Sequence, residues 1–393
     1  MDGPPPAGST KHSEVPAPAA TKPPLAVTYL EQVDLEAEPL PQEFSGSRLR
    51  HALLVLAAVI AVVAAAIILV PGLASVRDRL AGAQPGLLIV AALLQLLSCV
   101  SYVLVFRTVF CQRMSWRTST EIGFSELAAN SILSVGGAGG LALGAWILRR
   151  GGVAGDHIAR RSVAFFLLTS LANVGFLALG GLALATGLLS GSPSLLLSLI
   201  PAIVGIGAIG LALAARPVAH ALAARARRPK LEALFQTLGD GVSEALVLLR
   251  SRQPALGLGI AGYMLFDVAM LGVCFAAFGN DVPAAGVLLL AYLIGQLGGL
   301  IPIPGGIGGV DGGLIGALVI YGVDPADAAV AVIAYRGLLL SIPAMLGLPA
   351  LAILRRRLQT EAHDIAACGP GQEVEVLGRG PVKKWVPVAR AES

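Results

Sequence analysis

Three ionisable residues stand inside long apolar stretches: Asp267, Asp311 and Arg336. A charge at membrane depth is expensive, so each is a candidate for function. Asp267 lies midway along an apolar run, between AGYMLF and VAMLGVCF, and these flanks offer no local partner. Asp311 follows a glycine cluster, and Arg336 sits beside Tyr335 two turns into the last apolar run. An acid–arginine pair is the cheapest way to keep either charge in lipid. Asp311 with Arg336 is the preferred pair, and Asp267 with Arg336 is the alternative. Such a pair either fixes a hairpin or lets Arg336 hold a phosphate or carboxylate while the acid tunes its availability. Arginine suits phosphate because its planar fork bonds two oxygens at once.

Two glycine clusters supply a second kind of chemistry. Gly136, Gly137, Gly139 and Gly140 match Gly305, Gly306, Gly308 and Gly309. Such density breaks a helix, and the helix that follows starts near Gly139 in one copy and near Gly308 in the other. Backbone N–H groups at a helix start attract anions, and glycine lets a ligand approach the backbone. Close packing of helices on small residues is the competing reading. Upstream of the first cluster, Glu126 and Asn130 share a helix face at i, i+4, with Glu121 on the same arm. Gln95, Asn173, Tyr292 and Gln296, also in apolar runs, are expected to make interhelical hydrogen bonds.

Other chemistries are absent from the sequence. GGIGGVDGG lacks the Lys-Ser/Thr of a nucleotide loop, the five histidines are scattered, and neither HExxH nor GxSxG occurs. Cys99, Cys111, Cys274 and Cys368 show no paired spacing, so neither a disulfide nor a zinc site is expected. The expectation is a chain that is not an enzyme, needs no cofactor or metal, and does not bind nucleic acid.

The elements that must position these residues are membrane helices. Of 393 residues, 55% are apolar and only 13% charged, with mean hydropathy +0.78. A soluble domain carries about 25% charged residues, so a soluble enzyme is excluded. Apolar runs fall at 51–72, 86–109, 122–148, 161–188, 194–216, 255–278, 285–321 and 331–354. Two are broken, by SVGGAGG and IPIPGGIGG. If each broken run is a re-entrant hairpin and the N-terminus is cytoplasmic, nearly all basic clusters outside the tails fall on the cytoplasmic side. The arms, about 20 Å long at roughly 13 residues each, are too short to cross singly.

The expected fold is therefore an all-α polytopic membrane protein with about six full spans and two opposed re-entrant hairpins. The hairpins enter from opposite sides, so the repeats, about 86–188 and 255–354, are inverted. Inverted repeats with broken helices meeting near the midplane mark alternating-access transporters. Residues 1–47 read as a disordered Pro-rich cytoplasmic tail, 48–357 as the transmembrane domain, and 358–393 as a second cytoplasmic tail. Residues 231–250 keep a helical apolar period and read as a surface helix on the inner leaflet.

The stretch LIGQLGGLIPIPGGIGGVDGGLIGALVIYGVDPADAAVAVIAYRGLLLSIPAMLG resembles the hallmark region of the lysylphosphatidylglycerol synthase transmembrane family, or flippase-like domain proteins. The matching residues are Pro304, Gly305, Gly306, Gly308, Asp311, Gly322, Tyr335 and Arg336. The acid is usually Glu in that family, and Val135 replaces the Pro expected before the first glycine cluster. The resemblance implies a multi-pass protein of the bacterial inner membrane with both termini cytoplasmic. It also implies an anionic cargo, a phosphatidylglycerol derivative or a polyprenyl-phosphate-linked sugar, moved between leaflets. Full-length synthases add a soluble aminoacyl-transferase domain, whereas 39 mostly polar residues follow Leu354 here, so lipid aminoacylation is not expected. The alternative is a membrane scaffold or regulator of a separate lipid glycosyl- or aminoacyl-transferase.

Overall fold

The structure is a computed structural model that describes Leu54 and residues 82–132, 138–189, 191, 194–225, 228–298, 308–366 and 368. All of these lie in the unit Pro39–Ser393. The helices are α1 (Pro85–Phe110), α2 (Trp116–Ile132), α3 (Ala138–Arg150), α4 (Gly155–Ala185), α5 (Leu195–Arg225), α6 (Pro229–Arg250), α7 (Pro254–Ala277), α8 (Ala285–Leu297), α9 (Gly309–Ile320) and α10 (Pro325–Ala366). Among the described residues, α1, α4, α5, α7 and α10 contain the five stretches long and apolar enough to span a membrane. The apolar run 51–72 falls outside the described residues, apart from Leu54. The fold is that of an all-α polytopic membrane protein. Large apolar side chains such as Leu179, Ile203, Leu211 and Leu258 point outward, which suits lipid rather than water.

Both broken runs form helical hairpins. In the first, α2 packs on α3. In the second, α8 packs on α9, with Gly295 against Leu314 and Gly298 against the backbone of Gly309. Helix α2 starts at Trp116, before the apolar run begins. Its polar first turns hold because Arg117 pairs with Glu121 at 3.1 Å and Ser119 and Thr120 bond back to carbonyls one turn earlier.

The two repeats share their joints. Helices α1 and α7 each begin with Gln-Pro, and Gln84 O and Gln253 O each accept the same two N–H groups of the following turn. After α3, Gly152 N donates to Arg149 O and Val153 N to Leu148 O. After α9, Gly322 N donates to Val319 O and Val323 N to Leu318 O, each residue shifted by 170 positions. Gly152 and Gly322 both have φ 90°, a conformation that favours glycine. The Asp324-Pro325 start of α10 is capped as the sequence suggested, with Asp324 Oδ1 accepting from the N–H groups of Ala326 (2.9 Å) and Asp327 (3.2 Å). The matching Ser192-Pro193 signal falls outside the described residues.

Equivalent helices run antiparallel. Gln84 N, at the start of α1, donates to Ala277 O at the end of α7 (2.7 Å). Gln112, just past α1, donates to Gln253, just before α7 (2.5 Å). One pole of the bundle is basic. Arg107 reaches Met114 O and Gln112 O there, and Arg161 reaches Val109 O and Glu244. Both ends of hairpin one sit at this pole, where Gly151 abuts Ile365. At the other pole Tyr321 bonds Leu197 O and Gly191 packs on Ala284 and Val287.

Three features depart from the sequence reading. Cys111 and Cys368 are joined by a disulfide, where none was expected. Separated by 257 positions, the pair leaves no spacing signal; it forms because α10 continues past 357 to Ala366 and returns the chain to the end of α1. The tail assigned to 358–393 accordingly begins with helix. Helix α6, read from the sequence as a surface helix with one apolar stripe, divides that stripe: Val242 is buried with Gly239, Gly241, Ala245 and Leu248, Phe235 and Leu238 line a cavity against α4 and α5, and Leu231, Leu234 and Leu249 are exposed.

Candidate functional site

Two apolar clusters divide the interior. One packs hairpin one against the basic half of α1, with Phe106, Ile122, Leu143 and Ile147. The other packs hairpin two against α7 and α10, with Phe275, Leu290, Leu314 and Val332. Tyr263 belongs to the first and its neighbour Met264 to the second, so the seam crosses α7 one turn before Asp267. Tyr102 belongs to the first cluster, Tyr292 and Tyr335 to the second.

At hairpin two, Arg336 Nε lies 2.5 Å from Asp311 Oδ1, and both side chains are largely buried. The pair joins the first turn of α9 to α10. Asp311 Oδ2 also accepts from Gly308 N at 3.2 Å, and Gly308 has φ 94°, so the acid caps the helix and holds the arginine together. Tyr335, only 1% exposed, turns the other way and meets the Tyr292 ring edge-on at 6.5 Å.

Asp267 does not pair with Arg336. Its Oδ2 accepts from the Tyr292 hydroxyl of α8 at 3.1 Å. Its neighbours on α1 are Ser98 and Cys99, and Ser98 donates to Tyr263 O at 3.1 Å. Asp267 is 2% exposed, and its Oδ1 has no hydrogen-bond partner among the described residues.

At hairpin one, Asn130 Oδ1 accepts from Gly140 N at 2.7 Å and caps α3. This mirrors Asp311 on Gly308. Both second arms therefore have one N–H of their start already taken by a side chain, and the anion-binding role expected of free N–H groups there is correspondingly reduced. Gly139 is half-buried in the first turn of α3. Glu126, 1% exposed, accepts from the Tyr102 hydroxyl at 2.8 Å. A Cβ on Gly144 would collide with Glu126 Oε1, so α3 offers the carboxyl only backbone. Gly136, Gly137, Gly305 and Gly306 fall outside the described residues.

The sequence reading missed Tyr102 and Tyr263. The Tyr102 ring lies 5.6 Å from that of Tyr263, and the two line a cavity of about 30 Å³ with Thr169 and Asn173. A tyrosine one turn before an intramembrane aspartate was the available signal for Tyr263. Tyr102 had none, because its partner lies on another helix. Among the described residues no group of three or more His, Cys, Asp or Glu could hold a metal. A second, apolar cavity of about 600 Å³ opens between α4, α5 and α6, near the basic pole, lined by Phe166, Leu211, Val218, Phe235 and Val242.

Broken arms capped at their glycines, joints repeated at a shift of 170 and antiparallel equivalents together define an inverted pair of hairpins. The model of the lysylphosphatidylglycerol synthase TM region matches residues 54–347. The chain belongs to that family. The match runs from the only described residue of the first apolar run into α10, so it takes in both hairpins, Glu126, Asp267 and the Asp311–Arg336 pair. A comparison with curated proteins gives no match. The family region is a membrane protein domain related to lipid modification or flipping, and this chain is a multi-pass member of it.

Proposed function

We propose that the protein moves a lipid with a phosphate-bearing head group between the leaflets of a bacterial inner membrane, and that it is not itself an enzyme. The observation that carries this reading is Arg336, drawn into the membrane interior and held by Asp311 at the start of a hairpin arm. A phosphate offers the guanidinium the same two-oxygen geometry as the carboxylate, so the head group can exchange with Asp311 for it. The two inverted hairpins are the elements whose alternate packing would expose that arginine to one side and then the other. The apolar cavity between α4, α5 and α6 is wide enough for an acyl chain. The basic pole is the cytoplasmic one by the positive-inside rule, which puts both termini inside. The cargo classes are a phosphatidylglycerol derivative or a polyprenyl-phosphate-linked sugar.

Reconstitution into liposomes tests this. Head-group-labelled phosphatidylglycerol and polyprenyl-phosphate probes, read against an external quencher, are expected to exchange leaflets faster than in protein-free vesicles. Background rates with every probe would reject the reading and favour a scaffold that serves a separate lipid-modifying transferase.

A further inference from the structure

We propose that Glu126 and Asp267 are proton-binding sites in a polar row that couples proton movement to head-group movement; only the cargo rests on the lipid reading above. Each carboxyl is almost fully enclosed, and each keeps one oxygen (Glu126 Oε1, Asp267 Oδ1) without a hydrogen-bond partner among the described residues. The groups facing them are hydroxyls, a thiol and backbone. Glu126 meets Tyr102 from α1 and the Gly144 backbone from α3, while α10 presents Gly347 to α2. Asp267 meets Ser98 and Cys99 from α1, Tyr263 from its own helix, Tyr292 from α8 and Tyr335 from α10. A carboxylate enclosed by neutral groups is costly, and a bound proton removes the charge. Most buried side-chain polar atoms in proteins do have a partner.

The row is built of two hydrogen bonds, two ring contacts and one helical turn. It runs from Glu126 to the Tyr102 hydroxyl (2.8 Å), then to the Tyr263 ring (5.6 Å from that of Tyr102). Between these tyrosines the cavity of about 30 Å³, edged by Thr169 and Asn173, has room for water. Tyr263 leads in one helical turn to Asp267, which meets Tyr292 (3.1 Å), and Tyr292 meets Tyr335. On the same turn of α10, with its side chain directed away from Tyr335, is Arg336, paired with Asp311. The row thus links the first arm of hairpin one to the ion pair at hairpin two. A phosphate that takes Arg336 frees the Asp311 carboxylate. A proton delivered along the row neutralises it, and the same proton leaves when the phosphate departs. One proton is bound and one released per head group, with no other reactant.

The test uses the full chain in proteoliposomes. Infrared difference spectra between neutral and acidic buffer are expected to show the C=O stretch of protonated carboxyls in wild type, with one component lost in Glu126→Gln and another in Asp267→Asn. Tyr102→Phe, which keeps the ring and the packing, is expected to shift the Glu126 component. An imposed pH gradient is expected to accelerate exchange of labelled phosphatidylglycerol in wild type and to have no effect on exchange in Glu126→Gln. Spectra identical in wild type and both carboxyl variants would overturn the proposal, and so would exchange that ignores the gradient in wild type. Carboxyl components that behave as expected, in a protein that exchanges no lipid probe, would support the proton sites and reject the lipid reading instead.

Discussion

Arg336 and Asp311 show what a charge needs at membrane depth. The aspartate serves two donors at once, the guanidinium and Gly308 N–H. Removing it strips the arginine of its anion and the helix start of its cap. Asp311→Asn removes the charge that faces the guanidinium and is expected to destabilise the protein by about 1–3 kcal/mol, as thermal unfolding would show. Arg336→Met should cost less, because the carboxylate it leaves behind keeps the Gly308 N–H and can take up a proton, whereas a guanidinium cannot lose one. In the double variant the two losses should fall well short of additive, as thermal unfolding in detergent would show. The Glu126 site is tight. Gly144→Ala places a methyl where Oε1 lies, and overpacking of this kind costs about 1–3 kcal/mol. A Gly144→Ala variant as stable as wild type would mean that Glu126 does not sit against α3.

At the scale of elements, hydropathy alone revealed both hairpins, because Gly and Pro in such density cannot continue a helix. It placed the turns at Gly152 and Gly322, whose positive φ left glycine as the natural choice. The pairing of Arg336 with Asp311 was also legible, since two opposite charges in apolar surroundings have few other solutions. Partners from distant helices were not legible. Tyr102 reaches Glu126 and Tyr292 reaches Asp267 only after α1, α2, α7 and α8 have packed, and no local pattern records those contacts. The Cys111–Cys368 bond was hidden for the same reason. Alkylation of the denatured chain followed by mass measurement is expected to tag Cys99 and Cys274 before reduction and all four cysteines after it. Topology has its own test. Gly155→Cys should react with an impermeant thiol reagent only from the cytoplasm and Ala326→Cys only from outside. Labelling from the opposite sides, or equally from both, would contradict inverted hairpins.

At the scale of the whole molecule, the interior of a single compact unit divides into two apolar clusters. Each holds one hairpin, with Tyr263 and Asp267 near their boundary on α7 and the ion pair joining hairpin two to α10. Such a division suits a protein in which one hairpin shifts while the other stays packed. It also explains why so few charges remain within the bundle: the low charge content of the chain confines them to the poles and to a few interior sites. The central claim is that Arg336 receives an anionic head group in the membrane interior. Leaflet exchange of a head-group-labelled anionic lipid in liposomes, wild type against Arg336→Ala at equal protein loading, tests it most directly. The account predicts exchange well above protein-free vesicles for wild type and a fall to the protein-free rate for the variant. Exchange by Arg336→Ala at the wild-type rate would contradict it.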